Sequence, residues 1–308
     1  MRDYDIAVVG ASIAGCAAAT FLGREGARVA LIESHSDPKA FKRMCTHLIQ
    51  ASASPTIERL GLSQTLREAG ARSTDTNVWS RYGWVSFDRE RMPAPVSQWS
   101  PLNIRREKLD PIVRELATST EGVDLLLGHT VHGLLRDGAR VIGVQVRERD
   151  ATEHEIRAKL VVAADGRDSE VAKLAGVRTK LKLHNRFGYF AYYRDTPLVT
   201  GDGAQLWFLD PDMAYAFPTD DGLVCLTVMP TKDKLSEFKW DPEQGIVRVF
   251  EQLPDGPRVD PSKRVSKVLG KIEMPNVVRK TTQPGLALIG DAAIAADPLW
   301  GVGCGWAF

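Results

Sequence analysis

Three short glycine-containing segments hold the residues best suited to bind a charged ligand. The first spans residues 10–15 (GASIAG), the second spans 164–166 (ADG) and the third is Gly290-Asp291. Each follows an apolar run of the kind that forms a buried parallel strand. In open α/β sheets, ligands bind at the carboxyl ends of the strands. These segments are therefore the first candidates for a binding site.

The first segment has the spacing of a dinucleotide-binding turn, G-x-G-x-x-G, with Ser12 in place of the middle glycine. Gly10 permits the sharp turn, and Gly15 lets the next helix lie close to the strand. The N–H groups at the start of this helix, around Ile13 and Ala14, have no partner in the helix and favour a pyrophosphate. A turn used only for helix packing is the alternative.

Glu33 ends the second predicted strand, 18 residues after Gly15. A carboxylate at this place accepts hydrogen bonds from ribose hydroxyls. A solvated strand end is the alternative. No arginine pair stands beside Glu33 to hold a 2′-phosphate, so FAD or NAD fits the unit better than NADP.

Composition narrows the class of protein. The chain has 308 residues, 44% hydrophobic and 26% charged, with a net charge of +1, as in an ordinary soluble globular protein. Its dispersed charges do not favour nucleic acid. We expect no stable membrane insertion, no signal peptide, a cytoplasmic location and two lobes. We also expect reduced thiols and no metal, because no C-x-x-C pair links Cys16, Cys45, Cys225 and Cys304.

The order of the motifs resembles a known family. The first turn with Glu33, the segment ADGRDSEV (164–171) and the segment LIGDAAIAADPLWGVG (288–303) occur in this order in FAD-dependent oxidoreductases of the aromatic-hydroxylase fold, the group A flavoprotein monooxygenases. That superfamily also includes geranylgeranyl reductases and flavin-dependent halogenases. The resemblance implies an α/β fold, in which a Rossmann-like FAD-binding domain carries an inserted β-sheet substrate domain.

The resemblance also implies domain boundaries. The FAD-binding domain would comprise residues 1–75, 101–180 and 271–308, the last with the Gly-Asp motif. The substrate domain, mainly β, would comprise residues 76–100 and 181–270.

The family assigns cofactor contacts to matching positions. Asp291 would bind the ribityl chain of FAD, and Asp165 would touch FAD or cap the next helix. Arg43 and Arg106 would contact FAD, Arg43 at the pyrophosphate, with Arg105 as the alternative to Arg106. The remaining predicted contacts lie in the glycine-rich loops: Gly166, Gly290, Pro298, Gly301, Val302 and Gly303.

Two departures from the family pattern bear on the reaction. Ile294 replaces a histidine that hydroxylases often carry after Gly-Asp-Ala-Ala, and the D-P-L-x-G form of residues 297–301 looks more like the reductase and halogenase branches. Cys45 matches a reductase cysteine near the flavin, and His47 lies two residues later. Cys45 is either a pocket thiol or a small buried one, and His47 is either a proton donor or a satisfied polar residue.

We expect a monooxygenase that uses NAD(P)H and O2 on an apolar, aromatic or polyketide-like small molecule. The alternatives are an alkene reductase using Cys45 or His47, a halogenase, which lacks the expected W-x-W-x-I-P segment here, and a non-catalytic nucleotide-binding protein. Aromatic strands in residues 181–270 would line the substrate pocket or form core: Tyr189, Tyr193, Trp207, Tyr215 and Phe217.

Overall fold

The computed structural model describes residues 2–86, 91–94 and 98–308. The strands are, in chain order, β1 (Arg2–Val9), β2 (Val29–Glu33), β3 (Leu48–Ile49), β4 (Arg72–Ser73), β5 (Thr76–Ser80), β6 (Gly83–Ser86), β7 (Leu102–Asn103), β8 (Val123–Leu127), β9 (Thr130–Asp137), β10 (Arg140–Arg147), β11 (Glu153–Ala163), β12 (Thr179–Lys182), β13 (Gly188–Tyr193), β14 (Ala204–Phe208), β15 (Met213–Pro218), β16 (Val224–Met229), β17 (Leu269–Lys271), β18 (Asn276–Arg279), β19 (Thr282–Gln283), β20 (Leu286–Leu288) and β21 (Ile294–Ala295). The α-helices are α1 (Ile13–Arg24), α2 (Ser54–Leu60), α3 (Ser63–Glu68), α4 (Arg106–Thr118), α5 (Glu170–Leu174), α6 (Pro242–Glu251) and α7 (Gly303–Ala307).

A central sheet contains the strands that end in the three predicted motifs. Its order is β19-β20-β11-β1-β2-β8, and all neighbours from β20 to β8 are parallel. The antiparallel strands β9 and β10 extend it from β11. The chain leaves β1 toward β2 on one side and returns in β11 on the other. This reversal is the topological switch point at which doubly wound sheets bind ligands, and the predicted α/β class is confirmed.

Both faces of this sheet are buried, and successive residues of β1 and β2 point to opposite faces. Val8 and Leu31 pack with α1 and α4 on one face. Ala7 and Ile32 pack on the other face with β9, β10 and α5. The strands therefore read as continuous apolar runs, because neither face meets water.

A second sheet lies apart from the first. Its order is β17-β13-β16-β15-β14-β5-β6, so strands from residues 76–86 join strands from residues 188–271. Residues 87–90 and 95–97 of the predicted segment 76–100 lie outside the described residues. One face, here called the outer face, packs on α6 around Phe250. The opposite face, here called the inner face, packs on Met44, Leu48 and Leu299, which lie outside this sheet.

A buried ion pair joins the two sheets. Arg105, just before α4, donates from its backbone N–H to Asp220 Oδ1 at 2.8 Å and from its guanidinium to Oδ2 at 2.7 and 2.9 Å. Asp220 follows β15 and is fully buried. Burial alone would raise the pKa of Asp220, but the bonds from Arg105 lower that pKa to about 2. The carboxylate is therefore charged at neutral pH.

Within the described residues, no helix is long and apolar enough to cross a bilayer.

We expect Asp220→Asn to lower the free energy of unfolding at pH 7 by about 3 kcal/mol, because it leaves a partly buried guanidinium without its main partner. The difference from the wild type should shrink as the pH falls from about 4 to about 2. A carboxylate whose pKa is lowered stabilises the fold above its ordinary pKa, near 3.9, and loses that effect on protonation.

Urea unfolding of both proteins at several pH values measures this effect. Asp221→Asn is the matched control. Asp221 contacts the same arginine, but its side chain is 50% exposed, so a loss below about 1 kcal/mol is expected. Equal losses in the two variants would contradict the assignment.

Candidate functional site

Three glycines let the predicted turns meet at the carboxyl edge of the central sheet. A Cβ atom on Gly10, whose φ is +102°, would lie 2.5 Å from the carbonyl oxygen of Ala164. A Cβ on Gly15 would lie 1.8 Å from the carbonyl oxygen of Gly10, and one on Gly290 would lie 2.8 Å from Ala14 Cβ. Side chains do not tolerate such distances. The three motifs therefore form one structure, which we call the cradle (residues 10–15, 164–166 and 290–291).

The first turn of α1 offers free donors inside the cradle. Ser12 occupies the N-cap position, but its side chain makes no capping bond to the helix. Its hydroxyl instead accepts a hydrogen bond of 2.6 Å from Arg106 Nη2. The N–H groups of Ile13 and Ala14 lie in the first turn and have no acceptor within the helix. Phosphate oxygens are acceptors that such a helix end binds.

Glu33 links the end of β2 to the glycine turn. Its Oε2 accepts from the Ala11 N–H at 3.0 Å, and its Oε1 accepts from the His35 N–H at 2.9 Å. Oε1 also accepts from Ser34 Oγ at 3.2 Å, so of the roughly four acceptor positions of the carboxylate about one remains for a ribose hydroxyl. The side chain is largely buried, which contradicts the solvated-strand-end alternative.

A stripe of buried polar residues on α4 faces the cradle. Arg106 Nε donates to Asp110 Oδ1 at 2.7 Å, and Asp110 Oδ2 accepts from the Lys42 N–H at 2.9 Å. Arg114 donates to the Ala11 carbonyl at 2.9 and 3.1 Å. These three α4 residues are spaced by four, so they share one face of the helix. The sequence analysis missed Asp110 and Arg114, although this spacing was visible.

The two candidate arginines before α4 point to different places. Arg106 contacts Ser12 of the cradle, whereas Arg105 binds Asp220 of the second sheet. The structure therefore favours Arg106 over Arg105 as the arginine beside the phosphate-binding turn.

A cavity of about 260 Å³ opens beside the cradle, between the loop before β3, the start of α4 and the edge of the second sheet. Five of its lining side chains are cationic and one is acidic. The cations are Lys42, Arg43, Arg105, Arg106 and Lys267, and the acid is Glu107. Such a surface suits a polyanion such as a pyrophosphate. Arg43 lines this cavity, and its contact with the pyrophosphate of FAD stays a prediction.

Asp291 is at the cradle and is paired. Its Oδ2 lies 2.8 Å from Lys42 Nζ. Burial would lower the pKa of Lys42, but Asp291 outweighs this effect and raises it, so the pair is ionic. Asp165, in contrast, accepts from Ser169 Oγ at 2.6 Å and from the Val171 N–H at 3.0 Å. These bonds show the helix-capping role for Asp165, and its contact with FAD stays a prediction.

The loop after Asp291 returns to the segment before β3. Pro298 begins a short turn that ends at Gly301, with φ of +60°. A Cβ on Gly301 would lie 3.1 Å from Leu48 Cδ2, whereas a Cβ on Gly303 would meet nothing within 4 Å. Val302 precedes the short helix α7. The loop therefore packs against Leu48 at Gly301 and has open space beside Gly303.

Two cysteines from distant segments touch at the cavity. Cys45 Sγ lies 3.4 Å from Cys304 Sγ, and the His47 N–H donates to Cys45 Sγ at 3.3 Å. The hydrogen bond with Cys304 lowers the pKa of Cys45, and the nearby charges of Arg106 and Lys42 act in the same direction. The same bond raises the pKa of Cys304. The two thiols therefore titrate as a pair, and the first proton leaves more readily than that of an ordinary cysteine.

His47 is buried and neutral. Burial lowers its pKa to about 3, so the ring carries no positive charge at neutral pH. It stacks on Tyr192, with ring centroids 5.4 Å apart, and the Tyr192 hydroxyl lies 3.2 Å from His47 Nε2. Tyr192 lines the cavity with His47. This arrangement favours a satisfied polar residue over a cationic proton donor.

The five aromatic residues predicted to line the pocket divide between the two faces of the second sheet. Tyr215 and Phe217 are on the inner face, stacked with centroids 4.4 Å apart. Tyr189, Tyr193 and Trp207 are on the outer face, in the cluster that contains Phe250 of α6. Successive side chains of a strand point to opposite faces, so these three cannot line a pocket on the inner face.

The inner face carries other aromatic and apolar residues that the prediction missed. They are Phe190, Tyr192, Leu206, Phe208, Met213 and Met229. Strict alternation would have placed Phe190 and Tyr192 together, but both faces are apolar, and the pattern therefore gives no sign of which face is inner.

The residues present fit FAD. A turn that only glycine permits, an uncapped helix N-terminus, a carboxylate with a free acceptor position and a cationic cavity lie together at the switch point of the sheet. Each of these features matches one part of an adenine dinucleotide.

Comparisons with known proteins agree with this geometry. A family model described as "FAD binding domain" matches residues 3–307. The chain is 26% identical over 312 residues to digeranylgeranylglycerophospholipid reductase of Picrophilus torridus, covering 98% of this chain and 74% of that protein. It is 25% identical over 321 residues to squalene monooxygenase of Rattus norvegicus, covering 98% of this chain and 52% of that protein.

A solved structure has a similar fold. The myxobacterial chondrochloren halogenase CndH, an FAD-dependent halogenase, superposes with a TM-score of 0.87 at 20% identity, covering 100% of this chain and 72% of that one.

We expect iodoacetamide to alkylate Cys45 of the flavin-free protein before the other cysteines, because the thiolate is the reactive form. The pH profile of the rate should have its midpoint below the ordinary thiol value of about 8.5, because the hydrogen bond with Cys304 lowers the pKa of Cys45. Burial raises the pKa values of Cys16 and Cys225 to about 12, so these thiols should stay unmodified until the protein unfolds. Peptide mass spectrometry measures each rate.

Cys304→Ala removes the donor to Cys45 and should move the midpoint upward. A wild-type midpoint at the ordinary thiol value of about 8.5 would show that the pKa of Cys45 is not lowered.

Proposed function

The chain belongs to the FAD binding domain family of FAD-dependent oxidoreductases, and on that basis we propose that it is a monooxygenase acting on an apolar small molecule. The substrate would be aromatic, polyketide-like or polyene-like, and NAD(P)H would be the reductant. The observation that most supports this proposal is the apolar inner face of the second sheet, which packs on Met44, Leu48 and Leu299 and presents Tyr192 to the cavity.

The described residues would hold FAD as follows. Glu33 would accept hydrogen bonds from the adenosine ribose, and the start of α1, with Arg106, would bind the pyrophosphate. Asp291 would bind the ribityl chain, which requires Lys42 to move or to share the carboxylate. When bound and reduced by NAD(P)H, FAD supplies the two-electron chemistry and the reaction with O2.

We assign the two sheets to the domains predicted above. The central sheet would be the core of the FAD-binding domain (1–75, 101–180 and 271–308), and the second sheet that of the substrate domain (76–100 and 181–270). The inner face would exclude water and orient the substrate, since most of its side chains are apolar and the hydroxyl of Tyr215 is already bonded to Thr46.

The protonation states at the cavity support oxygen transfer over alkene reduction. A reductase needs a proton delivered to the substrate as hydride arrives. Burial lowers the pKa of His47 to about 3, so this ring is not an acid at neutral pH, and the hydrogen bond with Cys304 lowers the pKa of Cys45. Of the two thiols, Cys304 is the one that keeps its proton more strongly.

Alkene reduction is the second candidate function. It is favoured by the likeness to digeranylgeranylglycerophospholipid reductase over 98% of the chain and by the position of Cys45 at the cavity. In that reaction the proton would have to come from Cys304 through Cys45, since Cys304 keeps its proton.

We expect Glu33→Gln to weaken FAD binding about tenfold, because charged hydrogen bonds to the ribose become neutral ones. Titration of flavin-free protein with FAD, followed by fluorescence quenching, measures the dissociation constant. Glu25→Gln, at an exposed acid after α1, is the matched control and should leave it unchanged. An unchanged dissociation constant for Glu33→Gln, with the thermal midpoint preserved, would remove Glu33 from the ribose role.

We expect product formation to require O2. The FAD-loaded enzyme is incubated with NADPH, ¹⁸O2 and a panel of apolar substrates that includes squalene, aromatic polyketides and a geranylgeranyl lipid. Mass spectrometry should find one ¹⁸O atom in the product and no product without O2. A product that gains two hydrogens under anaerobic conditions would establish the reductase instead.

A further inference from the structure

Two histidines and a glutamate form a cluster on the central sheet, outside the cavity. His129 directly precedes β9, Glu148 follows β10 and His154 lies near the start of β11. One ligand atom from each lies within 4.8 Å of the others, and all three residues are half-buried. Ligand spacing along the sequence did not indicate this cluster, because the residues come from three separate strand ends.

The distances suit a single metal ion. His129 Nε2 lies 3.6 Å from Glu148 Oε1, and His154 Nδ1 lies 3.5 Å from the same oxygen. Ligands placed about 2.05 Å from a tetrahedral zinc ion are roughly 3.4 Å from one another. The two distances to Glu148 are therefore close to those of a tetrahedral site, and the two histidine nitrogens lie within 4.8 Å of each other. We propose that His129, Glu148 and His154 bind a divalent transition metal ion of the zinc class, with the fourth position open to water.

The tautomer of His129 supports a cation at this place. His129 Nδ1 lies 2.8 Å from the Leu127 carbonyl oxygen, which can only accept, so Nδ1 carries the hydrogen. In the neutral ring with this tautomer, the lone pair of Nε2 faces the Glu148 carboxylate. Two acceptors repel each other unless a cation lies between them. In most metal-binding histidines, the ring nitrogen that does not bind the metal donates a hydrogen bond to a carbonyl, a carboxylate or water, and this bond orients the ring.

The neighbouring arginines do not supply that cation. Arg147 pairs with Glu153 at 2.7 Å, and Arg149 donates to Ser36 Oγ at 3.0 Å. A proton on one imidazole is the competing occupant. It would satisfy one histidine, whereas a divalent ion meets both rings and the carboxylate together.

The cluster is connected to the cradle through the backbone. The His129 N–H donates to the Glu33 carbonyl at 2.9 Å, and the Gly128 N–H donates to the His35 carbonyl at 3.1 Å. A metal ion that fixes His129 would therefore also fix the end of β2, from which Glu33 projects. This coupling to FAD rests on the proposed function, whereas metal binding itself does not.

Metal binding is tested by calorimetric titration of chelator-treated protein with Zn²⁺. The wild type should bind one equivalent. His129→Gln, Glu148→Gln and His154→Gln should each weaken the affinity at least tenfold. His132→Gln is the matched control, because His132 lies in β9 with Nε2 3.7 Å from Glu153 but has only that one carboxylate. Its affinity should stay within twofold of the wild type.

Co²⁺ identifies the ligands by absorption. The proposed site should give the bands of a nitrogen and oxygen environment. A thiolate-to-cobalt charge-transfer band that vanishes in Cys45→Ser would place the ion at the thiol pair and overturn the proposal. Failure of the wild type to bind Zn²⁺, or equal binding by the three cluster variants, would also overturn it.

Zinc should tighten FAD binding severalfold in the wild type and leave it unchanged in His154→Gln. If zinc binds at the cluster but FAD affinity does not change, the coupling is rejected and the metal site stands. If metal-free and zinc-loaded proteins both fail to bind FAD, it is the proposed function that fails.

Discussion

The closeness of three backbone turns is the constraint on which the rest of the structure depends. The carbonyl oxygen of Ala164 occupies the place where a side chain on Gly10 would lie, and the Gly10 carbonyl does the same for Gly15. The ends of β1 and β11 can be neighbours only because these residues have no Cβ. Once the turns are in contact, the start of α1 points into the gap at the switch point of the sheet. The phosphate-binding surface follows from this packing.

Charge then organises the space around the cradle. Cations from the loop before β3 and from the start of α4 line the cavity, and two of them have specific neighbours: Asp291 for Lys42, and Asp110 with Ser12 for Arg106. The hydrogen bond with Cys304, together with the charges of Arg106 and Lys42, lowers the pKa of Cys45. The cavity therefore combines a surface for an anionic cofactor with a nucleophilic sulfur and a neutral imidazole. The reactivity of these groups depends on how far the cavity excludes water.

The sequence was sufficient for the parts of the fold that local rules determine. The glycine turn, the small-residue helix and Glu33 follow from spacing within 30 residues, and the comparisons confirm the family. Contacts between distant segments were not predictable. Arg105 and Arg106 look equivalent in the sequence, and Asp220, more than 100 residues later, separates their roles. Likewise, alternation pairs Tyr215 with Phe217, but only the position of α6 decides that Trp207 faces away.

Because of the polar stripe on α4, this helix should tolerate substitutions on its exposed side better than deletions. Arg106, Asp110 and Arg114 reach Ser12, Lys42 and Ala11 only while they stay on one face of the helix. A deletion of one residue early in α4 would rotate everything beyond it by about 100° and turn Asp110 and Arg114 away from their partners. Substitutions on the exposed side of α4 leave the stripe in place. Over evolutionary divergence, the length of this segment should thus be kept more strictly than its composition, and insertions should accumulate elsewhere, in surface loops.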